Sequence, residues 1–181
     1  MPSVARLLSR LDDYSPGDKV RLMLLREGKR VIVEVPRRPA VADAAVAVFD
    51  SKYFYRTWRP TTAIFMGDAD GNRTTTASSF TPLIATPCFP SYPSAHGSLS
   101  SAAVEVLENT YGRFGHTVVV QDAAVPGIAI EYTDLRHILD DISDARVYGG
   151  IHFRFDQVAG GRLGDAIGNF VFNYRLTRRW R

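Results

Sequence analysis

The sequence predicts a mainly α protein in which a small N-terminal piece, one helix and a β-hairpin, precedes an all-helical second part. Three observations predict it. Alternation around a turn is confined to KVRLMLLREGKRVIVEV, residues 19–35. Apolar residues recur at helical spacing through most of the chain after residue 43. Composition and periodicity change near residue 38, where prolines and arginines interrupt both patterns.

The elements follow in order. VARLLSRLDDY spaces its apolar residues as a helix does, and SPGD closes it as a turn. The alternating run then folds back around Glu27-Gly28-Lys29 as a hairpin. A helix and one hairpin bury too little apolar surface to fold alone, so residues 1–37 read as a piece docked on the rest. Over about residues 3–36 this piece resembles the C-terminal third of a PDZ domain. The carboxylate-binding loop of such domains lies in the portion without a counterpart here, so no peptide-binding function is carried over. Residues 38–42 read as a linker, and Asp43 as the N-cap of AAVAVFDSKYFYRTW, a helix stopped by Arg59-Pro60. A polar loop, residues 66–82, leads to TPCFPSYPSAHG, in which prolines stiffen the approach to Ser94. Ser94 caps a helix over 95–111 with Leu99, Ala102, Ala103, Val106 and Leu107 on one side. VPGIAIEYTD reads as irregular, and two helical runs, 135–150 and 152–176, complete the domain 43–181.

Composition narrows the function. The 181 residues are 45% hydrophobic and 23% charged, an ordinary globular balance, and the net charge of +3 comes from scattered basic residues. Neither nucleic-acid nor membrane-surface binding is indicated. A single cysteine, Cys88, excludes an internal disulfide framework. The first residues carry acids and arginines where a signal peptide needs an apolar run, and no segment reaches membrane-span length. The expectation is a soluble, cytoplasmic protein.

Chemistry-bearing residues concentrate in three places. Lys52 and Arg59, seven apart, would share a face of one helix. Ser94, Ala95 and His96 open another helix, where backbone N–H groups and a hydroxyl welcome an anion. Arg146, His152 and Asp156 surround Gly149-Gly150, with Asp156 one turn beyond His152 and able to fix its tautomer. Each pattern alone is common as a solvated face, an ion pair or a packed histidine. Together they supply three cations, a hydroxyl, N–H donors and two imidazoles, an inventory that suits a tetrahedral oxyanion.

K-x6-R-P at Lys52–Pro60, P-S-A-H at Pro93–His96 and A-R-x5-H-x3-D at Ala145–Asp156 resemble, in order, the three-part signature of one superfamily. It unites vanadium-dependent haloperoxidases, type 2 phosphatidic acid phosphatases and bacterial acid phosphatases. The resemblance covers about residues 42–178 and implies a helical bundle with the oxyanion at its core. It implies that Lys52, Arg59 and Arg146 cradle the equatorial oxygens and that the Ser94 hydroxyl and the N–H of Ala95 donate to them. His152 would be the axial partner, bonded to vanadium or attacking phosphorus. Asp156 would orient it, and His96 would act as general acid–base. HFRFD at 152–156 is similar to the haloperoxidase form of the third motif, and TPCFPSYPSAHG to a bacterial haloperoxidase segment in which the position of Phe89 influences halide choice. A core role for Phe89 is the alternative.

The reading implied is a vanadate-dependent haloperoxidase, with hydrogen peroxide and halide as substrates and Lys52 polarising the peroxide. The alternatives are a phosphomonoesterase acting on a phosphate ester through phosphohistidine at His152, and an inactive interaction module. Three departures stand out. Ala95 replaces the usual glycine, and Ala145 the usual serine. The PDZ-like piece occupies the place of an extra helical layer, so the expectations are a fragment, a gene fusion, or a homo-oligomer that completes the core. Other features read as structural: Cys88 without a base partner, His116 and His137 at the surface, Asp68 to Asn72 as a turn, and Gly161, Gly164 and Gly168 as a helix-packing face.

Overall fold

The computed structural model describes residues 20–26, 29–35, 38–72, 76–121 and 126–176. Strands β1 (Val20–Arg26) and β2 (Lys29–Val35) pair antiparallel, with Val20 opposite Val35 and Arg26 opposite Lys29. The expected hairpin is therefore present, in a two-residue register; the helix expected before it, and with it most of the PDZ resemblance, lies outside the described residues. The main body comprises α1 (Arg38–Tyr55), α2 (Pro60–Phe65), a 3-10 turn at Gly67–Ala69, α3 (Ala95–Tyr111), α4 (Leu135–Tyr148) and α5 (Arg154–Val171). A π-type turn, Phe172–Leu176, ends α5.

Four features differ from expectation. Helix α1 starts at Arg38, so the stretch read as linker, 38–42, is helical and Asp43 lies within the helix. Pro39 sits in the first turn, where its missing N–H has no helical acceptor to lose. The helix ends at Tyr55 rather than Trp58, because Arg56 turns to a left-handed φ of 49° while its N–H closes on the Lys52 carbonyl. The second part is not wholly helical: β3 (Val118–Gln121) and β4 (Ala129–Tyr132) pair antiparallel, Val118 opposite Tyr132. The valine run of β3 has the β-branched character of a strand. Finally, PTTAIF forms α2, with Pro60 at its first position.

The bundle centres on α3 against α5, with α1 across both. Ala40, Ala44, Ala102, Val106 and Val171 form the buried core, with Ile167 and Leu176 packed beside it. The close approach of α3 and α5 depends on small residues at four-residue spacing: Gly160, Gly164 and Gly168. A methyl on Gly164 would overlap the Ser98 carbonyl oxygen, and one on Gly160 that of Ser94. A methyl on Gly161, also expected on this face, would meet Ser101 Oγ at an ordinary 3.5 Å. The contact face thus steps along the i, i+4 row beginning at Gly160.

Arg136 ties three helices together. From α4 it reaches Glu108 Oε2 at 2.8 Å and Glu105 Oε2 at 2.6 Å on α3, and Asp165 Oδ1 at 2.8 Å on α5. Asp134 caps α4, accepting from Arg136 N, and also accepts two bonds from Arg113. The Arg113 bonds hold the Asp134 carboxyl down at about 2. No helix among the described residues is long and apolar enough to cross a membrane.

Candidate active site

Along α1 the buried positions run Ala40, Ala44, Val48 and Lys52, one residue every four. Lys52 occupies the last place on an apolar stripe and is 0% exposed. Its ammonium is held by the carbonyls of Pro90 at 2.9 Å and Ser91 at 2.7 Å. Burial, and then the neighbouring Arg59, draw its pKa down to about 7.

Arg59 reaches the same place by another route. It is not on the Lys52 helix: the chain leaves α1 at Arg56 and runs extended to Arg59, the N-cap of α2. Its guanidinium donates from Nε to the Phe89 carbonyl at 2.9 Å, and from Nη1 to the Ile151 carbonyl at 2.8 Å and His152 Nε2 at 2.9 Å. Residues 89–91 therefore form a strap whose three successive carbonyls hold Lys52 and Arg59. Thr57 anchors the strap, its carbonyl accepting from Ser91 N and its hydroxyl from Tyr92 N. The Phe89 ring lies beneath both cations, 5.3 Å from Lys52 Nζ and 5.1 Å from the Arg59 guanidinium carbon.

The third motif arrives through the turn after α4. Arg146, in the last turn, is buried, and Gly150 adopts a φ of +76° that swings the chain toward Ile151 and His152. His152 Nδ1 bonds Asp156 Oδ2 at 2.9 Å. The same oxygen accepts the Ser91 hydroxyl at 2.5 Å and the Phe153 N–H at 3.0 Å. With Nδ1–H committed to the carboxylate, Nε2 carries the lone pair. Burial pulls the His152 imidazole to about 4, against the upward pull of the Asp156 hydrogen bond.

The second motif completes the cluster. Ser94 is 0% exposed; its Oγ caps α3 by accepting from Gly97 N at 3.1 Å, and its backbone N donates to the Asp156 carbonyl at 2.9 Å. The hydroxyl hydrogen remains available, as do the first-turn N–H groups of Ala95 and His96, which have no helical acceptor. His96 lies in the field of Arg146, His152, Lys52 and Arg59; burial first and these charges next hold it at about 4. All seven expected residues, Lys52, Arg59, Ser94, His96, Arg146, His152 and Asp156, thus gather with Ala95 in one electrostatically coupled cluster.

Two buried donors of the cluster, Arg59 Nη2 and Arg146 Nε, have no hydrogen-bond partner among the described residues. Cations outnumber the single carboxylate, Asp156, and the unused donors are the kind that an oxyanion satisfies. The residues fit such a group. Among the described residues no three His, Cys, Asp or Glu side chains gather as they would around a metal cation.

Ser91 and the carbonyl strap escaped the sequence reading. The prolines at 90 and 93 signal a stiff path, but nothing in FPSYPS marks Ser91 as the hydroxyl that meets a carboxylate. Of the discounted residues, Cys88 borders the cluster, within electrostatic reach of Arg59. Cys88 is exposed, and His137, 66% exposed, sits 3.9 Å from Asp134. Asp70 accepts from Asn72 N in a local turn. His116 differs from its expected surface position: it is partly buried, with Nε2 enclosed.

Architecture and cluster together describe a helical bundle with a buried, cation-rich polar centre. The model of the VCPO second helical-bundle domain matches residues 36–179, and the chain belongs to that family, within the vanadium haloperoxidase superfamily. A bacterial vanadium-dependent iodoperoxidase of known crystal structure is similar with a TM-score of 0.61 and 33% identity, over 74% of this chain and 31% of its own. Crystal structures of bacterial vanadium-dependent chloroperoxidase, holo and apo, give TM-scores of 0.61 and 0.61 at 21% and 20% identity. Each match covers 77% of this chain, and 34% and 35% of theirs; these two establish the fold. The chain spans about a third of the length of these structures. No curated protein sequence matches it.

Proposed function

We propose that this chain holds vanadate and oxidises halide with hydrogen peroxide. The observation that carries the reading is the buried cation cluster with two unused guanidinium donors beside a histidine whose Nε2 presents its lone pair to the cluster, where it accepts from Arg59 Nη1. Lys52, Arg59 and Arg146 would neutralise the oxyanion, and the Ser94 hydroxyl and the Ala95 N–H would donate to its oxygens. His152 would bind vanadium through Nε2, with Asp156 fixing the tautomer. Bound vanadate supplies Lewis-acid activation of peroxide for two-electron oxidation of the halide. His96, neutral at pH 7, would accept a proton from hydrogen peroxide and return one to the oxygen that leaves as water. Lys52, held over the strap, would polarise the peroxide.

The test is bromide oxidation by purified protein with hydrogen peroxide, with and without orthovanadate, on wild type and His152→Ala. Turnover that depends on orthovanadate and disappears in His152→Ala is expected. Folded protein that binds orthovanadate without turnover would overturn the peroxidase reading. Hydrolysis of p-nitrophenyl phosphate in the absence of vanadate would assign the cluster to phosphoryl transfer through His152 instead.

A further inference from the structure

We infer that Ser91 is a positioning residue that sets the vanadium-facing histidine by holding Asp156; the inference rests on the vanadate reading above. Ser91 is 0% exposed and touches both halves of the cluster. Its carbonyl accepts from Lys52 Nζ at 2.7 Å, and its hydroxyl donates to Asp156 Oδ2 at 2.5 Å. That O–H···O distance is at the short end for a charge-assisted bond. The hydroxyl also lies 3.4 Å from His152 Nδ1, so serine, carboxylate and imidazole form one compact triangle.

The geometry explains why the carboxylate needs this bond. Asp156 Oδ2 carries three donors, from Ser91, His152 and Phe153, whereas buried Oδ1 has none among the described residues. The loading is one-sided, and rotation of the carboxylate would exchange the two oxygens. Two of the donors, His152 and Phe153, belong to the segment that Asp156 itself orients. Ser91 alone comes from outside it, on the strap anchored to Thr57. Its hydroxyl therefore references the His152 ring to Lys52, 100 residues away, rather than to the start of α5 alone. Partners that orient a metal-bound histidine are typically worth about 10- to 100-fold in affinity.

The experiment is orthovanadate binding by isothermal titration to wild type, Ser91→Ala, Ser91→Thr, Asp156→Ala and Ser91→Ala/Asp156→Ala, with a melting curve for each. Ser91→Ala keeps the carbonyl that holds Lys52 and removes the hydroxyl alone. Expected are about a 10-fold weaker Kd in Ser91→Ala and recovery of most of that loss in Ser91→Thr. No further loss is expected when Ser91→Ala is added to Asp156→Ala, which a merely structural role would not produce. Wild type binding orthovanadate no more tightly than Ser91→Ala overturns the positioning role alone. The same loss from Ser91→Ala with and without Asp156 also overturns it. Wild type that fails to bind orthovanadate at all overturns this inference and the vanadate reading together.

Discussion

At the scale of the residue, the decisive fact is where Lys52 sits. Val48 and Ala44 precede it on the same stripe, so the helix that buries them buries an ammonium as well. Two carbonyls accept two of its three hydrogens, yet the loss of water, and then Arg59, draw its pKa to about 7, below the 10.5 of an exposed lysine. The sign follows directly. Between those values the unfolded chain binds more protons than the folded one, so the empty protein gains stability as pH rises through that window; below it, the cost of the buried charge is fully present. Melting temperatures of wild type and Lys52→Met test this. Wild type should gain relative to the variant as pH rises from about 7 towards 10.5. A gap independent of pH would show that Lys52 stays charged throughout.

At the scale of the element, the site depends on how closely α5 approaches α3. Gly160 lets the Ser94 backbone lie against α5, and Ser94 N then reaches the Asp156 carbonyl. One glycine row therefore joins the helix carrying the anion donors to the helix carrying the histidine's carboxylate. Gly164→Ala should cost about 1–3 kcal/mol, because its methyl meets the Ser98 carbonyl and the backbone must shift. Gly161→Ala meets only ordinary contact and should be neutral or stabilising by up to about 1 kcal/mol through helix propensity. Urea denaturation of the two variants gives the comparison. Equal effects would mean that the helices pack on a different row. Gly161, Gly164 and Gly168 also satisfy helical spacing, and Gly161 lies against α3 with more room than Gly160. Only the crossing of α3 over α5 distinguishes the rows.

At the scale of the molecule, the cluster gathers residues from the end of α1, the approach to α2, the 89–94 strap, the start of α3, the end of α4 and the start of α5. Its like charges oppose assembly, and the Arg136 tie and the apolar core offset them. An anion bound there would reverse the sign of that electrostatic contribution across all these elements at once. Orthovanadate at about 100 times its Kd should therefore stabilise the fold by about 2.7 kcal/mol, raising Tm by about 5–10 °C. His152→Ala should lose most of the shift. An equal rise with chloride at the same ionic strength would assign the effect to screening of surface charge.

Much of this was legible in the chain. The β1–β2 hairpin followed from alternation, α3 from Ser94 and its periodicity, and the eight residues of the candidate cluster from three spaced motifs, because those signals are local and survive in one dimension. The β3–β4 hairpin was not legible: its strands are four residues each, too short for alternation to outweigh the surrounding polar residues. Arg59 was placed on the wrong backbone, since the left-handed turn at Arg56 is an exception to its residue type. Ser91 was invisible, because a hydroxyl acquires meaning only from the carboxylate that folding brings beside it. The order and identity of charged groups are properties of the chain; which donor meets which acceptor is a property of packing, where contacts between residues far apart in sequence are made.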